Sequence, residues 1–207
     1  MQKPNLYQFF LENYISPCLI TKQFVRRGSR FYRDWGETIG LIEFQKSRKS
    51  TKDATLFTIN LGIFSKTIAN FFGNKKREMN FSRDECHWKE RLGFLMKERR
   101  DMWWVLNLET SLEIIGKEMC DLLTDLAIPA LEQFKEEKSL YNFWKSGKYG
   151  GLTDFEQLVN LSILAMKFGE KEQIDRVVKH LKQFEENSSL QNAAARQLQK
   201  LKLEKES

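Results

Sequence analysis

The chain has 207 residues, of which 41% are hydrophobic and 30% charged, proportions that exclude an intrinsically disordered or collagen-like protein. No run approaches the roughly 18 apolar residues of a membrane-spanning helix. The net charge of +6 is unevenly distributed, because residues 1–110 hold 20 Lys and Arg against 12 Asp and Glu, whereas residues 111–207 hold 14 against 16. The basic first half favours an anionic partner.

The cysteines and the first residues indicate a cytoplasmic protein. Cys18, Cys86 and Cys120 are odd in number and widely spaced, which argues against a disulfide framework and against a zinc site. The first 20 residues lack the apolar stretch and small-residue cleavage site of a signal peptide. We therefore expect three reduced thiols, no metal and no association with a membrane.

The first half of the chain carries a predicted sheet. Residues 6–15 place apolar side chains at helical spacing and predict an amphipathic helix that stops near Pro17. Ser65 is the predicted N-cap of a short helix that ends near Phe72. Alternating apolar and polar residues predict four or five strands with short links, typical of an antiparallel meander, in residues 29–34, 38–45, 55–64, 85–95 and 102–107.

The second half is predicted to be helical. Thr110 or Ser111 can cap a long helix whose apolar residues keep a helical period up to Pro129, and residues 130–135 can continue it after a kink. Further helices are predicted in residues 140–144, 153–168 and 171–186.

These patterns predict an α+β fold: a four- to five-stranded antiparallel sheet with an N-terminal helix and a helical C-terminal half. We expect residues 1–110 to form the sheet domain with its N-terminal helix. Residues 111–207 are expected to form a helical region packed on that domain.

The predicted strands have one apolar and one polar side. In residues 55–64, large apolar side chains occupy alternate positions and predict the side that faces the helices. The opposite side then collects polar residues from separate strands, joined by Trp103 if Trp104 faces the core: Gln45, Thr58, Asn60, His87, Lys89 and Arg91.

This polar side is either a ligand-binding face or a solvated outer face. Arg91 offers a planar fork for a carboxylate or phosphate, and Trp103 offers a ring for stacking. Gln45, Asn60 and His87 complete the candidate ligand-binding set. The alternative is a face in water, because antiparallel sheets commonly leave one side solvated.

The sequence lacks the residue patterns of a recognisable enzyme. Cys86 and His87 are adjacent, so on a strand they point to opposite faces and cannot form a catalytic pair. The only other histidine, His180, lies far along the chain, and no spacing provides three or four metal ligands. We therefore predict no catalytic residues, no metal and no cofactor.

A basic stretch with two aromatic residues offers an alternative site. Residues 26–33 (RRGSRFYR) interleave arginines with Phe31 and Tyr32, a composition that can bind single-stranded nucleic acid through phosphate contacts and stacking. The alternative, which the pattern favours, is a strand whose aromatic rings enter the core while the arginines lie in water. The candidate nucleic-acid-binding residues are Arg26, Arg27, Arg30, Arg33, Lys75, Lys76 and Arg77.

Several short motifs follow one another in an order that resembles the family called domain of unknown function 4304, over about residues 10–130. They are Phe24, Arg27-Gly28, Phe31-Tyr32-Arg33, residues 42–47 (IEFQKS), residues 57–62 (FTINLG), Cys86-His87, Arg91-Leu92-Gly93 and Trp103-Trp104. The positions that match the family's motif are Gln45, Asn60, Gly62, Arg91 and Trp104. The resemblance implies an α+β domain without a settled activity, and loosely a place among bacterial accessory proteins that include partners or neutralisers of toxins.

Three functions are open at this point. The first is a non-catalytic protein that engages an acidic partner protein through its basic half. The second is a nucleic-acid-binding protein that uses the arginine stretch. The third is an enzyme or small-ligand protein acting at Asn60, His87 and Arg91. The sequence does not indicate an oligomeric state.

Overall fold

The computed structural model describes residues 6–73, 79–187 and 189–205. Its antiparallel sheet has the neighbour order β1-β2-β3-β4, and both β5 and β6 pair with β4. The strands are β1 (Val25–Arg27), β2 (Arg30–Asp34), β3 (Thr38–Lys46), β4 (Ala54–Ser65), β5 (Trp88–Arg91) and β6 (Trp104–Asn107).

Helices precede and follow the sheet. They are α1 (6–21), α2 (Lys66–Phe71), α3 (Leu92–Leu95), α4 (112–132), α5 (Glu137–Lys145), α6 (Asp154–Lys167), α7 (Lys171–Asn187) and α8 (Gln191–Lys205). An antiparallel sheet, an N-terminal helix and a helical C-terminal half confirm the predicted fold class. None of the helices among the described residues is long and apolar enough to cross a membrane.

The predicted meander is wrong at β5 and β6, which do not form a hairpin. Residues 60–63 of β4 pair with β5, and residues 54–57 pair with β6, so two short strands lie end to end along one edge of β4. The predicted strand 85–95 is a strand only over Trp88–Arg91, after which α3 begins. Gly93 allows this turn, because a Cβ there would meet the Arg100 carbonyl oxygen at 2.3 Å.

Two helices continue through a proline, at Pro17, where the sequence predicts a stop, and at Pro129. α1 contains the π-helical segment Leu11–Ile15 just before Pro17, and α4 contains the π-helical segment Leu123–Ala127 just before Pro129. A proline removes one N–H donor and crowds the carbonyl one turn earlier, and the wider π turn relieves that crowding. The helix predicted to stop near Pro17 therefore extends to Thr21.

The main core lies between the sheet and the helices. Phe57, Ile59, Leu61 and Ile63 on β4 are fully buried, as their alternation predicts. Trp104 also faces this core, where its ring stacks on that of Phe57 with the ring centroids 5.9 Å apart. Residues from both halves of the chain belong to one continuous apolar cluster. The domain boundary near residue 110 stays a prediction.

The opposite face of the sheet is partly sealed. Tyr32, Leu41 and Phe64 form a second small core beneath Phe81, whose ring stacks on Phe64 at 4.4 Å. The Tyr32 hydroxyl donates to the Phe81 carbonyl oxygen at 2.6 Å and fixes this cover. The face predicted as either ligand-binding or solvated is thus covered at one end by residues that precede β5.

A buried carboxylate joins the helical half to the sheet. Glu137, at the start of α5, is fully buried and accepts hydrogen bonds from the Ser65 hydroxyl and the Thr67 N–H. Its other oxygen pairs with Lys167 on α6 at 2.8 Å. Ser65 is the N-cap of α2, as predicted, and accepts from the Ile68 N–H. Both halves of the chain thus supply hydrogen-bond acceptors for the N–H groups at the N-terminus of α2, Ser65 from the first half and Glu137 from the second.

A candidate binding cleft on the polar face of the sheet

Four polar side chains lie in one row across the sheet. The strand register places Arg30 opposite Glu43, Glu43 opposite Asn60, and Asn60 opposite Arg91. Directly paired residues of antiparallel strands point to the same face, so the row crosses β2, β3, β4 and β5 on the side away from the main core. Gln45 joins the row from β3, since it accepts a hydrogen bond from the Asn60 amide at 2.8 Å.

A pocket of about 500 Å³, here called the cleft, opens on this row. This volume is within the range of small-ligand sites. Its charged lining residues comprise four cations and two carboxylates, an excess of positive charge: Arg30, Lys46, Arg83 and Arg91 against Glu43 and Asp84.

The segment before β5 forms one wall of the cleft. A Cβ at Gly62 would lie 2.4 Å from the Cys86 sulfur, so glycine allows Cys86 to pack flat on β4. Gly62 and Asn60 lie on the same face of β4, because they are two residues apart. Packing of Cys86 and Phe81 on the sheet leaves Arg83 between them, beside Asn60 in the lining of the cleft.

Asn60 has an unsatisfied acceptor in the floor of the cleft. The residue is only 1% exposed, and its amide nitrogen donates to Gln45 and, at 3.4 Å, to Glu43. Its Oδ1 has no hydrogen-bond partner among the described residues, and neither has the buried Thr58 hydroxyl on the same face. A buried polar atom without a partner costs roughly 1–3 kcal/mol, which a ligand donor would recover.

The arginines of the cleft differ in how they are held. Arg30 donates to Glu43 at 2.6 Å, and Arg91 donates to Asp101 at the same distance. The Nε of Arg83 is buried, with no partner among the residues that the structure describes. Arg83 therefore contributes a donor for which no carboxylate among the described residues is an acceptor.

The Trp103 side chain is held beside Arg91 by a hydrogen bond and a cation–π contact. Its indole N–H donates to Asp101 at 3.1 Å, and the Arg91 guanidinium lies 5.7 Å from its ring centre. The Arg91 pair and hydrogen bonding to Trp103 lower the pKa of Asp101 against the opposing effect of burial, which is the largest single influence. Trp103 thus positions Arg91 through a cation–π contact, and the stacking role expected from the sequence stays a prediction.

The structure does not bring His87 to the cleft. His87 precedes β5, and its Nδ1 accepts the Ser65 N–H at 2.9 Å while its ring packs on Phe64. Burial, reinforced by the charge of Lys89, lowers the pKa of His87 to about 3. The ring is therefore neutral near pH 7 and is held by structural contacts. Of the predicted ligand-binding set, the structure brings Gln45, Asn60 and Arg91 together, with Trp103 behind Arg91.

The arginines of the alternative site are split between two faces. Arg26 pairs with Phe31 and so lies on the core side with Arg33, whereas Arg27 pairs with Arg30 and lies on the cleft side. Arg33 is bound to Glu132 at 2.9 Å, and Arg26 donates to the Gly28 carbonyl oxygen at 2.8 Å. Phe31 and Tyr32 are fully buried in the two cores. Lys75, Lys76 and Arg77 lie outside the described residues.

The sequence did not predict several residues that line the cleft, Glu43 and Arg83 among them. Glu43 could have been found, since it lies two residues before Gln45 and shares its face of β3. Arg83 had no such signal, because it lies in a short 3₁₀ turn whose position depends on the packing of Phe81 and Cys86. No group of three or more His, Cys, Asp or Glu within the described ranges is arranged to hold a metal.

The family model of a Domain of unknown function (DUF4304) matches residues 15–133, more than half of the chain. The chain belongs to this family. The matched range begins within α1 and ends just beyond α4, so the DUF4304 region contains the whole sheet and the cleft. No curated protein and no solved structure matches the chain. The family resemblance seen in the motifs is confirmed, and DUF4304 by its description assigns no activity.

Proposed function

We propose that this DUF4304 protein is a non-catalytic binding protein whose cleft accepts an acidic segment of a partner protein. The observation that carries the proposal is the pair of unsatisfied buried atoms, Nε of Arg83 and Oδ1 of Asn60, in a pocket with excess positive charge.

The two atoms require hydrogen-bond partners of opposite kinds, one an acceptor and the other a donor. Arg83 requires an acceptor, and the planar arginine fork matches a carboxylate. Asn60 requires a donor, because its free atom is the amide oxygen. A peptide supplies both within a few ångströms, through a Glu or Asp side chain and a backbone N–H. An acidic peptide is thus a better match than an anion that only accepts hydrogen bonds.

The phosphate backbone of a nucleic acid is the poorer match. A phosphodiester offers acceptors to Arg83 and Arg91 but no donor to Asn60. The arginines of residues 26–33 also do not form one surface, since Arg26 and Arg33 lie on the opposite face from Arg27 and Arg30. These observations favour a protein segment over a nucleic acid.

A fluorescent peptide of alternating Glu and Gly tests the proposal by anisotropy titration at two salt concentrations. We expect binding that weakens as salt rises. Arg83→Gln should weaken it at least tenfold, because a charge-assisted hydrogen bond contributes roughly 1.5–3 kcal/mol. The same peptide methylated on its backbone nitrogens should also bind more weakly, since it offers no donor to Asn60.

Arg27→Gln is the matched control. Arg27 is an exposed arginine on β1 outside the lining of the cleft, so its replacement changes the charge equally without touching the site. The proposal fails if Arg27→Gln and Arg83→Gln reduce the affinity for the peptide to the same extent. It also fails if the peptide does not bind while a single-stranded RNA of the same length binds in an Arg83-dependent way.

A further inference from the structure

Two cysteines that are 102 positions apart in sequence meet where α1 packs on α4. Cys18 lies in the last α-helical turns of α1, and Cys120 lies in the first segment of α4. The Cys120 sulfur donates to the Tyr14 carbonyl oxygen at 3.5 Å, one helical turn before Cys18. Each of the two thiols shifts the pKa of the other, so the side chains are neighbours.

A glycine brings the two helices close at this point. Gly116 lies one turn before Cys120 on the same side of α4, and it is buried. A Cβ at Gly116 would lie 2.7 Å from Cδ1 of Tyr14, so only glycine allows the present approach. Gly116 and Cys120, one turn apart on α4, therefore both contact Tyr14, and Cys18 lies one turn beyond Tyr14 on α1.

The three cysteines differ in accessibility. Cys18 and Cys120 are half-buried, whereas Cys86 is 2% exposed in the second core. Burial raises the pKa of the Cys86 thiol. Small oxidants thus reach the pair but not Cys86, which also lacks the thiolate form that reacts.

The surroundings of the pair shift the pKa values of the two thiols in opposite directions. The neighbouring Cys120 thiol lowers the pKa of Cys18, with burial opposing and with help from the Thr124 hydroxyl and from Lys22. The neighbouring Cys18 and burial raise the pKa of Cys120. Asp121, from the α4 side, opposes ionisation of both thiols. Because the Cys120 thiol donates to the Tyr14 carbonyl oxygen, Cys120 keeps its proton, and Cys18 is the group that ionises first and attacks.

We propose that Cys18 and Cys120 form a peroxide-sensitive dithiol that closes into an intramolecular disulfide between α1 and α4. The Cys18 thiolate attacks one oxygen of hydrogen peroxide, the O–O bond breaks, and Cys18 becomes a sulfenic acid while hydroxide leaves. Hydroxide takes the proton of Cys120, whose sulfur attacks the Cys18 sulfur. The S–O bond breaks, the S–S bond forms, and the departing hydroxide takes up a proton as water. Two thiols and one peroxide thus give one disulfide and two waters.

The experiment counts free thiols in the full chain before and after one equivalent of hydrogen peroxide. The protein is unfolded in a maleimide reagent, and labels are counted by intact mass and located by peptide mapping. We expect three labels on the reduced protein and one label, at Cys86, on the oxidised protein, with a mapped Cys18–Cys120 cross-link that a reductant reverses. Oxidation should raise the Tm, because the cross-link restricts the unfolded chain.

Two variants assign the roles of the thiols. In Cys120→Ser, Cys18 should accumulate as a sulfenic acid that dimedone traps, because its resolving partner is absent. In Cys18→Ser, oxidation of Cys120 should be at least tenfold slower. The proposal is overturned if three labels remain after peroxide, if Cys86 is consumed, or if the disulfide joins two chains. Equal oxidation rates in the two variants would overturn the assigned order of attack.

Discussion

Replacement of Glu137 by Gln is expected to destabilise the protein through loss of one buried charge. Oε1 of Glu137 accepts from Ser65 and Thr67, and its Oε2 accepts from Lys167 at 2.8 Å. A glutamine keeps one oxygen for Ser65 and Thr67, but it turns its NH₂ group toward the ammonium of Lys167. The change therefore removes a charge-assisted bond and puts donor against donor.

The size of the effect depends on what Lys167 retains. Breaking a fully buried ion pair typically costs about 3–5 kcal/mol. Lys167 keeps its contact with Glu37 at 2.5 Å, and its side chain is 29% exposed, so water relieves part of the loss. We therefore expect a decrease of about 3 kcal/mol in the free energy of unfolding, the low end of that range.

Urea denaturation followed by tryptophan fluorescence measures this decrease, and a thermal melt should show a Tm lower by about 6–12 °C for a chain of this size. Glu136→Gln is the matched control, because Glu136 is the exposed neighbour and loses the same charge. A loss below about 1 kcal/mol, or one equal to that of Glu136→Gln, would refute the argument that the buried carboxylate joins the two halves.

Two further changes test other contacts. Gly116→Val should lower the free energy of unfolding by about 1–3 kcal/mol in urea titrations, because its Cβ would overlap the Tyr14 ring; an unchanged midpoint would contradict the close helix approach. Glu170 has its pKa lowered to about 2 by hydrogen bonds from Lys138 and Lys145, so its contribution to stability is complete above its ordinary pKa and is lost as the pH falls toward 2. Glu170→Gln should therefore flatten the stability profile between pH 4.5 and 2, and an unaltered profile would show that these pairs contribute nothing.

Local patterns predicted the elements whose determinants are local. The alternation in residues 55–64 correctly predicted which side of β4 faces the main core, and Ser65 is the N-cap that its position indicates. The path of the chain through Pro17 was not predictable in this way, because the π turn before it becomes favourable only when the helix is packed on the core. Pairing of β5 and β6 with the same edge of β4 likewise depends on contacts distant in sequence.

The candidate site was predictable to the extent that strand periodicity applies. Gln45, Asn60 and Arg91 lie on true strands and share a face, as the period of two requires. His87 was assigned to the same face by extending a strand that in fact begins at Trp88. The strand period of two therefore does not predict where the His87 side chain points. Arg83 enters the cleft through tertiary packing alone, which a single sequence does not encode in any short motif.

The spacing of Asn60 and Gly62 links the wall of the cleft to its floor. Gly62 accepts the Cys86 sulfur against β4, and this contact holds the segment that carries Arg83. Asn60, two residues away on the same face, then lies directly beyond that segment, and its buried oxygen has no hydrogen-bond partner among the described residues. A valine or threonine suits a central strand better than a half-satisfied buried amide, so stability does not account for Asn60. A ligand that donates to Asn60 and accepts from Arg83 gives a physical reason for both residues at once.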